Sequence, residues 1–403
     1  VEGDATRFAS ETGVLRQVLR PSDFDAKFAQ HLEGFVGRDW CFEAFEAWLN
    51  KQPDSRVFRV SAGPGFGKTA LAVHLANRFR GAVVGTWFCD YKSRELTDPL
   101  QALRTLAFQL ALRWDDYRTR LLPRLGLHAG SGETQIREAL DLLSQKNLKD
   151  LFNLLLSGPM ADLIWREHKL VVLVDGLDEA TCEKEGRNEL AALMGEEFMQ
   201  LPAWVSFVVT SRPDAVVNGH LRRFKPFEIA AEDGRNDADM RRCIHQRIMG
   251  LSPLRGLAES ERERLAEALV RKSAGMVLYL RMVEYGLKEG SLEPGHLAVS
   301  ELDALPPGLN GLYLGFFERL FGSATSEAFN RARPLLEVLG AAREPLSCSE
   351  LAKASGLDRD AVLPPLLRSL RQFLKENPRS DGEKTLDFYH KSVADWLLSD
   401  PLE

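Results

Sequence analysis

A glycine-rich turn between a short apolar run and a helical stretch ends in a lysine and a threonine. The turn reads Ala62-Gly-Pro-Gly-Phe-Gly-Lys-Thr69; it follows the β-rich run Val57–Val60 and opens a helical pattern over 68–80. Glycines allow backbone N–H groups to face an anion, and a helix N-terminus adds partial positive charge. Lys68 would reach the outer phosphates of a nucleotide, and the Thr69 hydroxyl would bind Mg²⁺. The pattern predicts a phosphate-binding loop; the alternative is a glycine-rich turn that merely precedes a helix. The residues expected to contact the phosphates or the metal are Gly63, Pro64, Gly65, Phe66, Gly67, Lys68, Thr69 and Ala70.

Three carboxylates follow a second apolar run, where another strand is predicted to end. Leu170–Val174 leads into Asp175, and the chain continues with Gly-Leu-Asp178-Glu179. Because ligands of α/β sheets bind beyond the carboxyl ends of parallel strands, Asp175 is placed to hold Mg²⁺ through water. Asp178 or Glu179 is suited to orient or deprotonate an attacking water molecule. The alternative is a carboxylate-rich turn after a buried strand, with no ligand.

Apolar runs that alternate with helical patterns position these two sets of residues. Strands are predicted at 57–60, 82–89, 170–174 and 205–210, with helices between them. Continuously apolar strands that alternate with helices are typical of a parallel sheet with helices on both faces, so the predicted class is α/β.

The strand signal disappears after about residue 235. Three helical patterns follow near 238–249, 259–272 and 276–288, and a Pro/Gly break lies at 305–308. The last part of the chain is helical and then forms a hairpin around the turn Asn377–Gly382, which together outline a winged helix. The predicted domains are a linker or lead-in helix at 1–34, a P-loop nucleotide-binding domain at 35–233, a small helical domain at 234–304 and a winged-helix domain at 305–403.

Composition and charge exclude several classes of protein. The 403 residues are 44% hydrophobic and include 22 Phe and 7 Trp, which excludes intrinsic disorder over most of the chain. No apolar run approaches the ~20 residues of a membrane span. Five scattered cysteines without a Cys-x-x-Cys pair are typical of reduced thiols in a cytoplasmic protein, and they argue against a disulfide scaffold or a zinc site. The formal net charge of −6 gives no general case for nucleic-acid binding.

Four segments, in order along the chain, resemble one family. The Asp-Gly-Leu-Asp-Glu element at 175–179 resembles the extended Walker B motif of NACHT-type proteins, within the STAND class of P-loop NTPases. Phe35-Val-Gly-Arg38 is similar to the element upstream of the phosphate loop, and Val208-Val-Thr-Ser-Arg-Pro213 to the sensor strand. Phe388-Tyr-His-Lys-Ser392 is similar to the family's winged-helix motif. The resemblance covers about residues 35–403.

This resemblance implies roles for residues outside the loop and the acidic turn. Val36 and Arg38 would help to hold the base. Arg212 would face the γ-phosphate, and His390 would touch the β-phosphate of bound ADP. Family members often carry Gly-x-Pro in the small helical domain, with the proline against adenine. The matching stretch here is Gly-Met-Val277, which assigns the base contact to Val277.

The family resemblance also implies a nucleotide-gated switch in immune, antiviral or cell-death signalling. ADP would bridge the three domains and hold a closed monomer, and exchange for ATP would allow self-association into a ring or an open oligomer. Slow hydrolysis of ATP with Mg²⁺ would reset the switch. Because the sequence begins with Val1 and ends just after the winged-helix motif, we expect flanking effector and sensor domains outside it.

Other functions stay open on the residues alone. The same loop serves motor ATPases and small-molecule kinases, and a degenerate site would leave a nucleotide-free scaffold. Winged helices often bind DNA, but residues 331–403 hold 11 Lys/Arg and 12 Asp/Glu, which disfavours a duplex reader. Arg212 could be a solvated arginine after a strand, and His390 a partly buried structural histidine.

Overall fold

The computed structural model describes residues 2–50, 55–161, 163, 169–182, 185–288, 296–379 and 383–399. The chain divides into two compact units. Unit 1 comprises Val1–Phe35, Asp39–Ala62 and Lys68–Glu228. Unit 2 comprises Val36–Arg38, Gly63–Gly67 and Ile229–Glu403. The phosphate loop and the segment that ends in Arg38 therefore group with the C-terminal part of the chain.

Unit 1 begins with helices and then alternates strands with helices. Its elements are α1 (Glu2–Leu19), α2 (Asp25–Leu32), α3 (Asp39–Asn50), β1 (Val57–Ala62), α4 (Lys68–Arg78), β2 (Val83–Phe88), α5 (Arg94–Thr97), α6 (Pro99–Arg113), α7 (Asp115–Arg124), α8 (Glu133–Ser144), α9 (Leu148–Phe152), α10 (Gly158–Met160), β3 (Leu170–Asp175), α11 (Glu189–Glu196), β4 (Val205–Ser211), α12 (Ala215–His220) and β5 (Pro226–Ile229).

These strands form a five-stranded sheet within the described residues, in the order β2-β3-β4-β1-β5. β1 pairs with β4, β4 with β3 and β3 with β2, and all three pairings are parallel. Every residue of β1, β3 and β4 is buried, which accounts for the apolar runs in their sequences. This parallel sheet with its helices confirms the predicted α/β class. β4 lies between the strand that leads into the phosphate loop and the strand that ends at Asp175.

The first helix of the chain contributes to the core of unit 1. Val14, Leu15, Val18 and Leu19 on α1 are buried, and α1 packs against α6 and α8. Their spacing puts one apolar stripe on one face of the helix, and burying such a stripe is worth about 1.5–3 kcal/mol per large aliphatic side chain. No helix within the described ranges is long and apolar enough to cross a membrane.

Unit 2 is helical, with a small sheet near its end. Its elements are α13 (Gly234–Cys243), α14 (Ser252–Arg255), α15 (Glu259–Ser273), α16 (Val277–Lys288), α17 (Gly308–Phe321), α18 (Glu327–Ala341), β6 (Leu346–Ser347), α19 (Cys348–Ser355), α20 (Leu363–Leu370), β7 (Leu374–Pro378), β8 (Lys384–Phe388) and α21 (Lys391–Leu398).

A single hydrophobic cluster runs through the described residues of unit 2, from Met240 on α13 to Ala394 on α21. β6 and β7 both pair antiparallel with β8, and β7 with β8 forms the predicted hairpin. A capping box begins α19, because Ser347 Oγ accepts the backbone N–H of Glu350 and the Glu350 carboxylate accepts that of Ser347. Residues 380–382 of the predicted turn lie outside the described residues.

Candidate functional site

Lys68 is the first residue of α4, directly after the glycine-rich loop. Its Nζ donates a hydrogen bond of 2.9 Å to the carbonyl oxygen of Ala62, the last residue of β1. Burial lowers the pKa of Lys68 to about 8, against the opposing effect of the nearby carboxylates of Asp178, Asp175 and Glu179. The ammonium group is therefore poorly hydrated and stands among acidic residues. A phosphate group bound beside it would stabilise its charged form.

Asp175, the last residue of β3, is 2% exposed and hydrogen-bonded. Its Oδ1 accepts from Thr210 Oγ1 at 2.5 Å, and the same hydroxyl accepts the backbone N–H of Gly176 at 3.0 Å. Burial raises the pKa of Asp175, while hydrogen bonds from Thr210 and Thr69 act in the opposite direction. Thr69 is thus close enough to act on the pKa of Asp175, and the two residues predicted to hold Mg²⁺ lie near each other. A hydroxyl and a carboxylate are oxygen ligands of the kind that Mg²⁺ requires, so the residues present fit the metal.

The acidic turn after β3 positions Asp178 and Glu179 differently. Gly176 has a φ of +67°, which turns the chain into the short 3₁₀ segment Leu177–Ala180. Asp178 is buried and accepts the backbone N–H of Arg212 at 2.9 Å, and its other oxygen lies 3.5 Å from Arg212 Nε. Glu179 is only half-buried and accepts the backbone N–H of Tyr91 at 3.3 Å. Asp178 is thus engaged in holding Arg212, and Glu179 is the more accessible carboxylate.

The loop itself has two residues in left-handed backbone conformations, Gly65 with φ +79° and Gly67 with φ +81°. Within unit 2, the carbonyl oxygen of Gly65 accepts the backbone N–H of Leu278 at 3.1 Å. Val277 Cγ2 lies 3.8 Å from the position that a Cβ on Gly67 would take. Val277 therefore lies beside the loop, and its contact with the base stays a prediction. Val277 and Val36 are both partly buried and pack against the hydrophobic cluster of unit 2.

Arg38, predicted to help hold the base, has its guanidinium group bound to protein atoms. Nη1 donates to Asn236 Oδ1 at 2.5 Å, and Nη2 donates to the carbonyl oxygen of Phe66 at 3.0 Å. The backbone N–H of Arg38 donates to Asp239 Oδ2 at 2.9 Å. Arg38 thus contacts the loop through its guanidinium group.

The other residues predicted to contact the phosphates or the metal differ in burial. Gly63, Pro64 and Thr69 are half-buried, and Phe66 and Ala70 are buried.

His390 is the N-cap residue of α21 and has a defined hydrogen-bonding pattern. Its Nδ1 accepts the backbone N–H of Ser392 at 3.1 Å and lies 2.7 Å from Ser392 Oγ, which is 2.7 Å from the Tyr313 hydroxyl. Because a backbone N–H can only donate, Nδ1 carries no proton, and the neutral ring carries its proton on Nε2. An Nε2–H group can donate to a phosphate oxygen, which is the role that the family resemblance implies for His390.

The structure adds four residues that the sequence analysis did not assign to the site. These are Thr210, which bonds to Asp175, and Asn236, Asp239 and Leu278, which bond to Arg38 or to the loop. Thr210 lies in the segment that resembles the sensor strand, so the sequence could have indicated that it belongs to the site. The other three carry no recognisable motif.

A family model matches part of the chain. The model described as "Nephrocystin 3, N-terminal" matches residues 38–212, which is less than half of the sequence. The matched segment runs from Arg38 through the phosphate loop and the acidic turn to Arg212. No curated protein matches the chain.

Three solved structures illustrate what the whole chain resembles. A Walker-type ATPase of Pyrococcus abyssi is 14% identical, with 91% of this chain and 97% of that chain covered and a TM-score of 0.42. The RuvB Holliday junction branch migration motor of Thermotoga maritima is 17% identical, with 95% and 100% covered and a TM-score of 0.30. Cdc6p of Pyrobaculum aerophilum is 12% identical, with 93% and 98% covered and a TM-score of 0.34. None of the proteins named here is described as a NACHT or STAND protein.

Proposed function

We propose that this chain binds an adenine nucleotide together with Mg²⁺ and acts as a nucleotide-gated switch that hydrolyses ATP slowly. The observation that carries the proposal is the contact between the start of α4 and the end of β3. There α4 packs against β3, Thr69 acts on the pKa of Asp175, and the charges of three carboxylates and of Arg212 act on the pKa of Lys68. A glycine-rich loop, a lysine, a hydroxyl and a strand-end carboxylate in this arrangement bind the phosphates and the metal of nucleoside triphosphates.

The candidate site residues have separate roles in this proposal. The loop N–H groups and Lys68 bind the phosphates, and Glu179 orients or deprotonates the attacking water because its carboxylate is the accessible one in the acidic turn. Asp178 positions Arg212, which stabilises charge on the γ-phosphate. Mg²⁺, held by Thr69 and through water by Asp175, would neutralise the phosphate charge.

The switch behaviour extends the proposal beyond nucleotide binding. It is supported by the resemblance to NACHT-type proteins in sequence and by the Nε2–H donor of His390, which suits the β-phosphate of ADP. We propose that ADP favours a closed monomer and that exchange for ATP favours self-association, with the winged-helix segment around β7 and β8 changing position. Flanking effector and sensor domains would couple this change to immune, antiviral or cell-death signalling in the cytoplasm.

The nucleotide that accompanies the purified protein tests the proposal directly. The protein is denatured after gel filtration, and the released nucleotide is identified by chromatography. We expect about one ADP per chain in the wild type and none in Lys68→Ala, because the phosphates lose their main cationic partner. Lys169→Ala serves as a matched control, since Lys169 is a half-buried lysine directly before β3, at the end of that strand opposite to Asp175. Equal nucleotide content in wild type and Lys68→Ala would refute the assignment of the loop.

Turnover separates the switch from the alternative enzymes. A switch is expected to hydrolyse ATP far below the median enzyme rate of about 10 s⁻¹ and to retain its product. A turnover number in the ordinary enzymatic range, with rapid release of ADP, would favour a motor or a kinase that uses the same loop.

A further inference from the structure

Two consecutive carbonyl groups of the phosphate loop accept hydrogen bonds from outside the loop. Gly65 O accepts the backbone N–H of Leu278, and Phe66 O accepts Nη2 of Arg38. All four residues belong to unit 2. The two bonds fix the orientation of two adjacent peptide planes, those that join Gly65 to Phe66 and Phe66 to Gly67.

The orientation of a peptide plane decides where its N–H group points. In a planar trans peptide, the carbonyl of one residue and the N–H of the next point in opposite directions, and no peptide bond is cis within the described residues. The Phe66 N–H therefore points away from Leu278, and the Gly67 N–H points away from Arg38. Backbone N–H groups that converge on one side of a loop form an anion-binding concavity.

Arg38 is held in place by two polar side chains of α13. Arg38 is 3% exposed, and Asn236 and Asp239 are fully buried. Asn236 accepts from Arg38 and donates to the carbonyl oxygens of Ala230 at 3.2 Å and Gly275 at 3.4 Å. Asp239 accepts the backbone N–H of Arg38 and also a 2.5 Å hydrogen bond from Arg242. The guanidinium group thus binds α13 through Nη1 and the loop through Nη2.

The backbone at Arg38 is in a conformation that arginine seldom adopts. Arg38 has φ +66° and follows Gly37 with φ +80°, where an added Cβ would lie 2.5 Å from Asp239 Oδ1. A non-glycine residue in the left-handed region is strained and persists only where the surroundings determine it. Here the strained backbone is what presents one arginine both to α13 and to the loop.

We propose that Arg38, Asn236 and Asp239 form a clamp that holds the phosphate loop in the orientation that binds phosphate. The proposal rests on the proposed nucleotide binding. In it Arg38 is a positioning residue: its guanidinium fixes the Phe66 carbonyl and thereby aims the Gly67 N–H, while Asn236 and Asp239 fix the guanidinium. Any displacement of α13 would release the loop and weaken phosphate binding.

The test compares Arg38→Lys with Arg241→Gln in binding titrations with ADP and with adenosine, both with Mg²⁺. Lysine keeps the charge but cannot bond to Asn236 and Phe66 with a planar fork. Arg241→Gln is the matched control, because it removes an arginine of α13 whose 2.6 Å side-chain bond goes to Glu267 on α15 and not to the clamp or the loop. We expect the Kd for ADP to rise about tenfold or more in Arg38→Lys, as for loss of a hydrogen bond from a charged group, with adenosine affinity unchanged. Arg241→Gln should leave both affinities within about twofold of wild type.

The outcomes separate the clamp from the nucleotide site itself. If wild type binds ADP and Lys68→Ala does not, the proposed function stands. An equal loss of adenosine and ADP affinity in Arg38→Lys would then show a contact to the base and would overturn the clamp. Unchanged ADP affinity would overturn it as well. If no ADP binds to wild type, the proposed function fails and the clamp with it.

A second measurement needs no variant and guards against misfolding of Arg38→Lys. The amide resonances of Phe66 and Gly67 in the wild-type protein are followed while ADP is added. We expect both to shift and to gain protection from hydrogen exchange, because the Phe66 N–H points away from Leu278 and the Gly67 N–H points away from Arg38, which leaves both available to a bound phosphate. Resonances that do not respond to ADP would overturn the proposal.

Discussion

The affinity for nucleotide is expected to depend on pH through Lys68. Burial lowers the pKa of Lys68 in the free protein to about 8, whereas an unperturbed lysine titrates near 10.4. A phosphate bound beside the ammonium favours the charged form, so the pKa rises on binding. Below pH 8 Lys68 is already charged and binding takes up little hydrogen ion. Above pH 8 Lys68 must take up a proton from solution when the nucleotide binds, and the affinity therefore falls as the pH rises.

The size of the effect follows from the two protonation states. At pH 7 about nine-tenths of Lys68 is charged in the free protein, and at pH 9 about one-tenth. The Kd for MgADP should therefore rise about tenfold between pH 7 and pH 9, which is about 1.4 kcal/mol. Isothermal calorimetry in two buffers of different ionisation enthalpy measures the proton directly, with uptake near zero at pH 7 and near one at pH 9.

Lys68→Arg is the control for this measurement, because arginine keeps its charge over the whole range. Its Kd is expected to stay constant between pH 7 and pH 9. The free wild-type protein should also gain stability as pH rises from about 8 toward 10.5, since the unfolded chain binds more protons than the folded one in that window. A wild-type Kd that does not change with pH, or no proton uptake at pH 9, would refute the reasoning.

Three further predictions concern single side chains. His390→Ala should speed the release of ADP and raise spontaneous oligomerisation, and an off-rate equal to wild type, followed with a fluorescent ADP, would remove His390 from the phosphate site. Glu179→Gln should bind ATP normally and hydrolyse it at least tenfold more slowly in a single-turnover assay; an unchanged rate would move the base to Asp178. Gly275→Ala should lower the free energy of unfolding by about 2–4 kcal/mol in urea titration, because Gly275 has φ +75° and a Cβ there would collide with Asn236 Nδ2, whereas Gly250→Ala meets nothing within 4 Å and should be nearly neutral.

The sequence predicted the parts of the fold that depend on local pattern. β1, β3 and β4 are buried on both faces, so their apolar runs were visible without knowledge of their neighbours. β5 was not predicted, because only Ile229 of its residues is buried and it begins with a proline. An exposed edge strand of four residues shows neither a continuous apolar run nor a clear alternation.

The candidate site was predictable where its residues follow one another along the chain. The phosphate loop and the acidic turn are contiguous motifs, and within unit 1 the carboxylates at the end of β3 act on the pKa of Lys68, as expected from the strand ends. The support for Arg38 was not predictable, because Asn236 lies 198 residues away in sequence. A helix as polar as α13 is normally a solvated surface helix. Asn236 and Asp239 are buried because they bond to Arg38, a partner that the three-dimensional structure reveals.

The hydrogen bond from Thr210 to Asp175 has a consequence for metal affinity. Thr210 lies on β4, and its hydroxyl donates to Oδ1 of Asp175 while it accepts the backbone N–H of Gly176. The carboxylate is therefore preorganised in one rotamer. Ordering a free side chain on binding opposes affinity by about 0.5–1.5 kcal/mol. Strand β4 would remove most of that entropic opposition in advance, so that the sheet itself would contribute to the affinity of the proposed magnesium site.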